Sequence, residues 1–347
     1  MRKQIKAGGL LIGGGAPVSV QSMTNTKTED FEKTAAQVNA LAALGCDIVR
    51  VAVPTREAAD AVAEIKKRVS VPVVADIHFD YKLALRALDA GADKIRINPG
   101  NIGAPERVKA VADACRKKGV PIRIGVNGGS LEKPLLEKYG GATAEAMLES
   151  ALGHVSLLNR YDFDDICISV KSSSVPLTIA AYRLIAQETD YPLHLGVTEA
   201  GTEYSGVIRS AVGIGTLLAE GIGDTIRVSL TADPEREAVA GVEILKSLGL
   251  RRGGVRFISC PTCGRTQIDL LSLAREVEEK LKSCPREITV AVMGCAVNGP
   301  GEAAAADYGV AGGKGEGLLF KKGKIIRKAP AEALADELKK LIEEDEP

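Results

Sequence analysis

Four stretches decide the fold: LGCDIVRV (44–51), AGADKIRI (90–97), KKGVPIRI (117–124) and GIGDTIRV (221–228). Each passes from a glycine-containing return into a short β-branched strand. Outward from them, the first 250 residues alternate such strands with amphipathic segments. Candidate strands lie at 18–24, 48–53, 71–77, 94–98, 122–127, 165–171, 192–198 and 225–231. The intervening segments have helical spacing, as in Phe31, Ala35, Val38, Leu41 and Leu44, or in Val62, Ile65 and Val69 behind Thr55 as N-cap. Eight strands, each followed by a helix, predict a (β/α)8 TIM-type barrel over residues 1–250. The alternative, an open doubly wound sheet, has fewer strands and a glycine-rich first turn. The GGG at 13–15 precedes the first barrel strand and so does not occupy that position.

Composition narrows the function. The 347 residues carry 45 basic and 45 acidic side chains, and this neutral balance argues against a dedicated nucleic-acid binder. With 3% aromatic residues and no Trp, base stacking is disfavoured as well. Seven cysteines, an odd number in a long chain, read as reduced cytosolic thiols rather than a disulfide framework. No apolar run reaches the ~18 residues of a membrane span. The stretch MRKQIKAGGLLIGGGAP (1–17) imitates a signal peptide, but its five glycines predict a hairpin instead.

The character changes at RRGGVR (251–256), a junction. Beyond it come a helix over 269–282, a strand over 288–294, a Gly/Ala-rich loop, a hairpin over 318–326 and a charged C-terminal helix. Residues 251–347 therefore form a small α+β domain.

Strand residues alternate between two faces. In the fourth, fifth and eighth strands one parity is apolar (Ile95, Ile97; Ile122, Ile124, Val126; Ile226, Val228, Leu230) and belongs against the helices. The other is polar: Arg96 and Asn98; Arg123 and Asn127; Arg227, Ser229 and Thr231. Arg50, Asp76, His78, Ser169, Lys171 and Thr198 extend that polar face to the other strands. A barrel interior is normally filled with bulky apolar side chains. A surplus of buried cations requires water or an anion, and arginine forks match phosphate oxygens. The expected ligand is small and multiply anionic, a diphosphate, at the C-terminal mouth of the strands. An internal ion-pair network with Asp47, Asp93 and Asp224 is the alternative, but these acids precede their strands and belong at the opposite end. Arg56, just beyond the second strand, is a further candidate for the anion. Glu199 and Asp76 lie at strand ends, where catalytic acids of this fold sit. His78 is a weaker catalytic candidate; His154 and His194 receive no role.

Cys260 and Cys263 form a C-x2-C pair, and Cys295 follows in MGCAVNGPGE. The two-residue gap lets both thiolates converge on one metal centre, as in zinc and iron–sulfur sites. Three thiolates suggest a cluster with one unusual or open ligand; a structural zinc with Cys284 as fourth ligand remains the alternative. Glu302 lies in the same loop as Cys295 and offers a harder, weaker ligand than thiolate. Cys46, Cys115 and Cys167 read as buried bystanders.

Taken together, QSMTNT (21–26), VRVAVPT (49–55), VADIHFD (74–80), KIRINPGN (94–101), IRIGVN (122–127), SVKSS (169–173), LGVTEAG (195–201), CPTCGR (260–265) and GCAVNGPGEA (294–303) closely resemble the bacterial 4-hydroxy-3-methylbut-2-enyl diphosphate synthase family of the non-mevalonate isoprenoid pathway. The resemblance runs through nearly the whole chain. It implies a barrel followed by a 4Fe–4S domain, with Cys260, Cys263 and Cys295 ligating three irons and Glu302 the fourth until substrate displaces it. It implies reduction of 2-C-methyl-D-erythritol 2,4-cyclodiphosphate, with ring opening and loss of a hydroxyl. By motif, Arg96, Arg123, Asn127, Lys171, Arg227 and Ser229 would hold the diphosphate, joined by Arg56, and Glu199 would be the acid assisting hydroxyl loss. It further implies reduced ferredoxin or flavodoxin as electron donor, and a homodimer in which the cluster domain of one subunit closes the barrel of the other. Two rival readings stay open on the residues alone. One is a barrel aldolase or isomerase using Lys171 as a Schiff-base nucleophile beside a structural zinc. The other is an iron–sulfur sensor, which would not need the polar barrel interior.

Overall fold

The computed structural model describes residues 2–282, 284–295, 301 and 303–345. The chain divides into two units, Met1–Arg251 and Arg252–Pro347.

The first unit opens with an antiparallel hairpin, Gln4–Ala7 with Leu10–Gly13, where the sequence predicts one. Eight parallel strands follow: β1 Ser19–Met23, β2 Ile48–Ala52, β3 Val73–Asp76, β4 Lys94–Ile97, β5 Ile122–Asn127, β6 Ile166–Lys171, β7 His194–Leu195 and β8 Thr225–Ile226. Their order is β6-β5-β4-β3-β2-β1-β8-β7, and a parallel bridge from Ile168 to Leu193 joins the two ends into a barrel. The crossover helices are α1 Phe31–Ala43, α2 Arg56–Lys66, α3 Tyr81–Asp89, α4 Pro105–Lys118, α5 Ala144–Asn159, α6 Val175–Glu188, α7 Glu203–Ala219 and α8 Pro234–Ser247. Several caps are legible locally. Asp30, Thr55, Asp80, Thr143 and Ser174 each accept a backbone N–H from the first turn of the helix that follows.

The aspartates of the opening motifs explain how neighbouring strands start in register. Asp47 accepts Val20 N at 2.7 Å, Asp93 accepts Val73 N at 2.7 Å, and Asp224 accepts Leu193 N at 2.8 Å. Each carboxylate thus closes an N–H at the start of the preceding strand, a group left without a carbonyl partner in the ladder. Their charges pair at the same end: Asp47 with Arg251, Asp93 with Lys66, Asp224 with Arg2. They are unavailable to cations at the strand C-termini.

The regular pairing of β7 and β8 stops well short of the expected 192–198 and 225–231. Side chains from the helices have replaced ladder bonds. The Tyr182 hydroxyl of α6 accepts Val170 N at 3.2 Å and donates to His194 O. The Glu237 carboxylate of α8 accepts Leu230 N at 3.0 Å.

The second unit is a mixed five-stranded sheet, β9 Val255–Ser259, β10 Ile288–Met293, β11 Tyr308–Gly312, β12 Glu316–Lys321 and β13 Lys324–Pro330, in sequential order. β9, β10 and β11 are parallel; β12 and β13 return as a hairpin. Helices α9 Leu270–Leu281 and α10 Leu334–Glu344 bury Leu270, Leu273, Val277, Leu281, Leu338 and Ile342 against it. Asp307 accepts Thr289 N at 2.8 Å, repeating the aspartate device of the barrel.

Candidate functional site

The polar parity converges as the alternation predicts. A cavity of about 190 Å³ at the C-terminal end of the barrel strands is lined by Arg50, Asp76, His78, Arg96, Arg123, Asn127, Ser169, Lys171, Thr198, Arg227 and Ser229. Two glycines make room for it. A Cβ on Gly125 would stand 2.8 Å from Arg96 Nε, and one on Gly196 would stand 2.5 Å from Lys171 Nζ. Each small residue lets a long cation lie across a neighbouring strand.

The cations are not equivalent. Asp76, 2% exposed, accepts Arg96 Nη1 at 3.0 Å and lies 3.7 Å from Arg50 Nε and 3.3 Å from His78 Nε2. Burial alone would push its carboxyl up, but Arg50, His78 and Arg96 together hold it well below the usual carboxylate range. Asp76, expected as one of two catalytic acids, is thus buried between Arg50, His78 and Arg96, which favour its carboxylate form. Arg227 donates from Nε and Nη2 to Glu237 at 3.1–3.2 Å. Glu237, 4% exposed, also accepts Ser22 Oγ at 3.0 Å. Arg123 and Lys171, both buried, pair with no carboxylate among the described residues. Burial, then the nearby guanidinium groups, push the Lys171 amine well below its ordinary value.

Below the cavity the interior stays polar. Ser19, Gln21, Lys94, His194 and Thr225 are at most 2% exposed, and each has a side-chain polar atom with no protein partner. Burial pushes Lys94 down to about 8 and His194 well below its ordinary value.

Two expected site residues lie outside the cavity lining. Arg56 is the exposed first residue of α2, capped by Thr55, so its side chain starts from a helix rather than from a strand end. Glu199 is exposed beyond β7, with φ +51, a left-handed conformation that non-glycine residues seldom adopt. Glu237 is the residue that the strand-based reading missed. Its signal was present: with Gly241, Ile244 and Leu245 it occupies the buried stripe of α8, a position where an unpaired carboxylate does not belong.

In the second unit, Cys260 follows β9 and Cys295 follows β10, at matching ends of adjacent parallel strands. The intervening loop is pinned there: Cys260 N donates to Val292 O at 3.3 Å, Gln267 N to Gly294 O at 3.0 Å, and Gly294 N to Cys260 Sγ at 3.1 Å. Cys263 is exposed, and hydrogen bonds from Arg265 hold its thiol below the ordinary value. Among the described residues no three His, Cys, Asp or Glu side chains stand close enough to hold a metal ion; Glu302 lies outside the described residues. The donor set nevertheless suits iron and sulfide: three thiols at one sheet end, one of them biased toward thiolate and one already accepting a backbone N–H. Cys284 does not fit as a fourth thiol. It precedes the start of β10, so roughly 16 Å of strand separates it from the end that carries Cys295.

The comparisons with known proteins agree with this division. A family model described as GcpE TIM-barrel domain matches residues 2–242, and one described as GcpE protein C-terminal domain matches residues 256–344. The chain is 60% identical over 341 residues, 98% of each chain, to a Clostridium perfringens protein named 4-hydroxy-3-methylbut-2-en-1-yl diphosphate synthase (flavodoxin). Proteins of the same name from Geobacter sulfurreducens and Bacillus subtilis are 60% and 58% identical, over 99% and 98% of this chain and 98% and 90% of theirs. Among solved structures, Yersinia pestis dihydropteroate synthase superposes with a TM-score of 0.51 at 14% identity, over 72% of this chain and 98% of that one, a likeness of barrel fold alone. With both of its halves matched by the family's own domains, and with relatives this similar along almost its entire length, the chain belongs to the GcpE family.

Proposed function

We propose that the protein is an iron–sulfur reductase that converts 2-C-methyl-D-erythritol 2,4-cyclodiphosphate to 4-hydroxy-3-methylbut-2-enyl diphosphate, supplying isoprenoid precursors. Ring opening and loss of one hydroxyl as water consume two electrons and two protons. The observation that carries this reading is the cavity itself, lined by five basic side chains whose carboxylate partners among the described residues are Asp76 and Glu237. Arg123 and Lys171 supply the unbalanced charge for the diphosphate. Arg96 and Arg227 are held in place by Asp76 and Glu237, so their forks are oriented before the anion arrives. Asn127, Thr198 and Ser229 add neutral hydrogen bonds at the rim. Arg56 reaches the anion from the first turn of α2. Glu199 delivers a proton to the departing hydroxyl. Its carboxyl is exposed beyond β7, on a residue whose φ of +51 is seldom adopted outside glycine.

Cys260, Cys263, Cys295 and Glu302 would hold a 4Fe–4S cluster, which when bound supplies the electrons and a Lewis-acidic iron for the oxygen. Residues 1–250 thus form the substrate domain and residues 251–347 the cluster domain. The relatives' name supports flavodoxin as donor, with ferredoxin as an equivalent one-electron carrier. A cytoplasmic homodimer, each cluster domain closing the partner's barrel, completes the reading. No described helix is long and apolar enough to cross a membrane.

Anaerobic purification tests the proposal. The expected result is roughly four irons and four sulfides per chain with broad visible absorption, lost in Cys263→Ser. One zinc and no colour would overturn it.

A further inference from the structure

Of the five basic side chains lining the cavity, Arg50 and Arg96 share Asp76 and Arg227 has Glu237, whereas Arg123 and Lys171 pair with no carboxylate among the described residues. Of those two, Lys171 is set apart by its chemistry. The four arginines keep their charge under all ordinary conditions, whereas a lysine can shed its proton.

The surroundings decide which form the empty site holds. Lys171 ends β6 and is 9% exposed. Arg123 and Asn127 face it from β5, Arg227 and Ser229 from beyond β8, and Arg50 and Arg96 from β2 and β4 across the cavity. His194 of β7 lies beneath, and Cys167 and Ser169 share its own strand. Among the described residues the facing acid is Asp76, already committed to Arg50 and Arg96, and His78 stands beside it on the same wall, 3.3 Å from its carboxylate. An ammonium here would be both desolvated and repelled by four guanidinium groups. A bound dianion reverses that field, because it stabilises every cation on the wall.

We propose that binding of a diphosphate diester is coupled to uptake of one proton from solvent by Lys171 Nζ. The inference rests on the diphosphate reading above. The amine becomes an ammonium, R–NH2 plus H⁺ giving R–NH3⁺, with no change of oxidation state. The fifth cation exists only when there is an anion to neutralise it.

Isothermal titration calorimetry of the anaerobic holoenzyme with P1,P2-dimethyl diphosphate tests this, since that diester stays a dianion throughout the neutral range. Titrations at one neutral pH in two buffers of contrasting ionisation enthalpy give the protons exchanged. The wild type should take up about one proton per diester, and its affinity should fall about tenfold per pH unit above neutrality. Lys171→Arg should bind with no proton uptake, because its charge is fixed. Lys171→Met should also show none, at reduced affinity. A buffer-independent enthalpy with pH-independent affinity in the wild type would overturn the proposal, as would uptake that persists in both variants. Failure of the wild type to bind the diester at all would reject the diphosphate reading along with it.

Discussion

Glu237 reaches from helix α8 through the barrel wall and grips Arg227 by both Nε and Nη2, at 3.1–3.2 Å, on the inner side of the sheet. The same carboxylate accepts Ser22 Oγ from β1 and Leu230 N beyond β8. One buried acid therefore fixes a cavity-lining arginine and ties two neighbouring strands where their ladder has ended.

Removing that acid should affect stability and binding separately. Glu237→Ala leaves a buried guanidinium, a hydroxyl and an amide without their acceptor, and should destabilise the fold by about 3 kcal/mol. Thermal unfolding should shift down by about 6–12 °C. Glu237→Gln keeps the shape and part of the hydrogen bonding. It should fold, and it should weaken diphosphate-diester binding by roughly tenfold, about 1.4 kcal/mol, through a misaligned Arg227. Wild-type melting and affinity in both variants would contradict the positioning role.

Glu199 offers a test in which stability and chemistry move in opposite directions. Its φ of +51 strains a residue with a Cβ. Glu199→Gly should relieve about 1 kcal/mol of that strain and melt at the same temperature or higher. Without the carboxyl, turnover should fall by about 100-fold or more while the visible absorption of the cluster is retained. Turnover within a few-fold of wild type would place the proton donor elsewhere.

Lys94 predicts an alkaline stability profile. Its folded-state value of about 8 lies below the ordinary lysine value of 10.5. Between these two values the unfolded chain binds a proton that the folded chain does not. Unfolding free energy should then rise with pH in this window, by up to about 1.4 kcal/mol per unit from this group. Below pH 8 both states hold the proton and the slope disappears; above 10.5 neither does. Denaturant titrations of wild type and Lys94→Met at several alkaline pH values isolate the effect as a difference. Parallel profiles would show that Lys94 is not forced toward its neutral form.

The barrel was legible because its strands carry two signals at once, β-branched periodicity and a glycine at the return. Asp47, Asp93 and Asp224 proved to be strand-start acceptors, which is why they left the interior cations unbalanced. The cavity lining followed from the alternation of Arg96, Arg123, Lys171 and Arg227, a period that needs no tertiary information. Tertiary partners were the part that could not be read. Glu237 belongs to a helix and acts on a strand, so no single-element pattern connects it with Arg227. The contraction of β7 depends on Tyr182 approaching from α6, which only the packed structure supplies. For Arg56 and Glu199 the sequence gives a position in the chain but not a direction, and both begin outside the lining.

The N-terminal hairpin has a kinetic consequence. Ile5, Ala7 and Ile12 pack against Ile48, Val74 and Cys167 and stopper the barrel at the end opposite the cavity. A tube closed at one end has a single doorway. Under the proposed function, substrate and product would use it in turn, so each molecule of product would obstruct its successor until it departs.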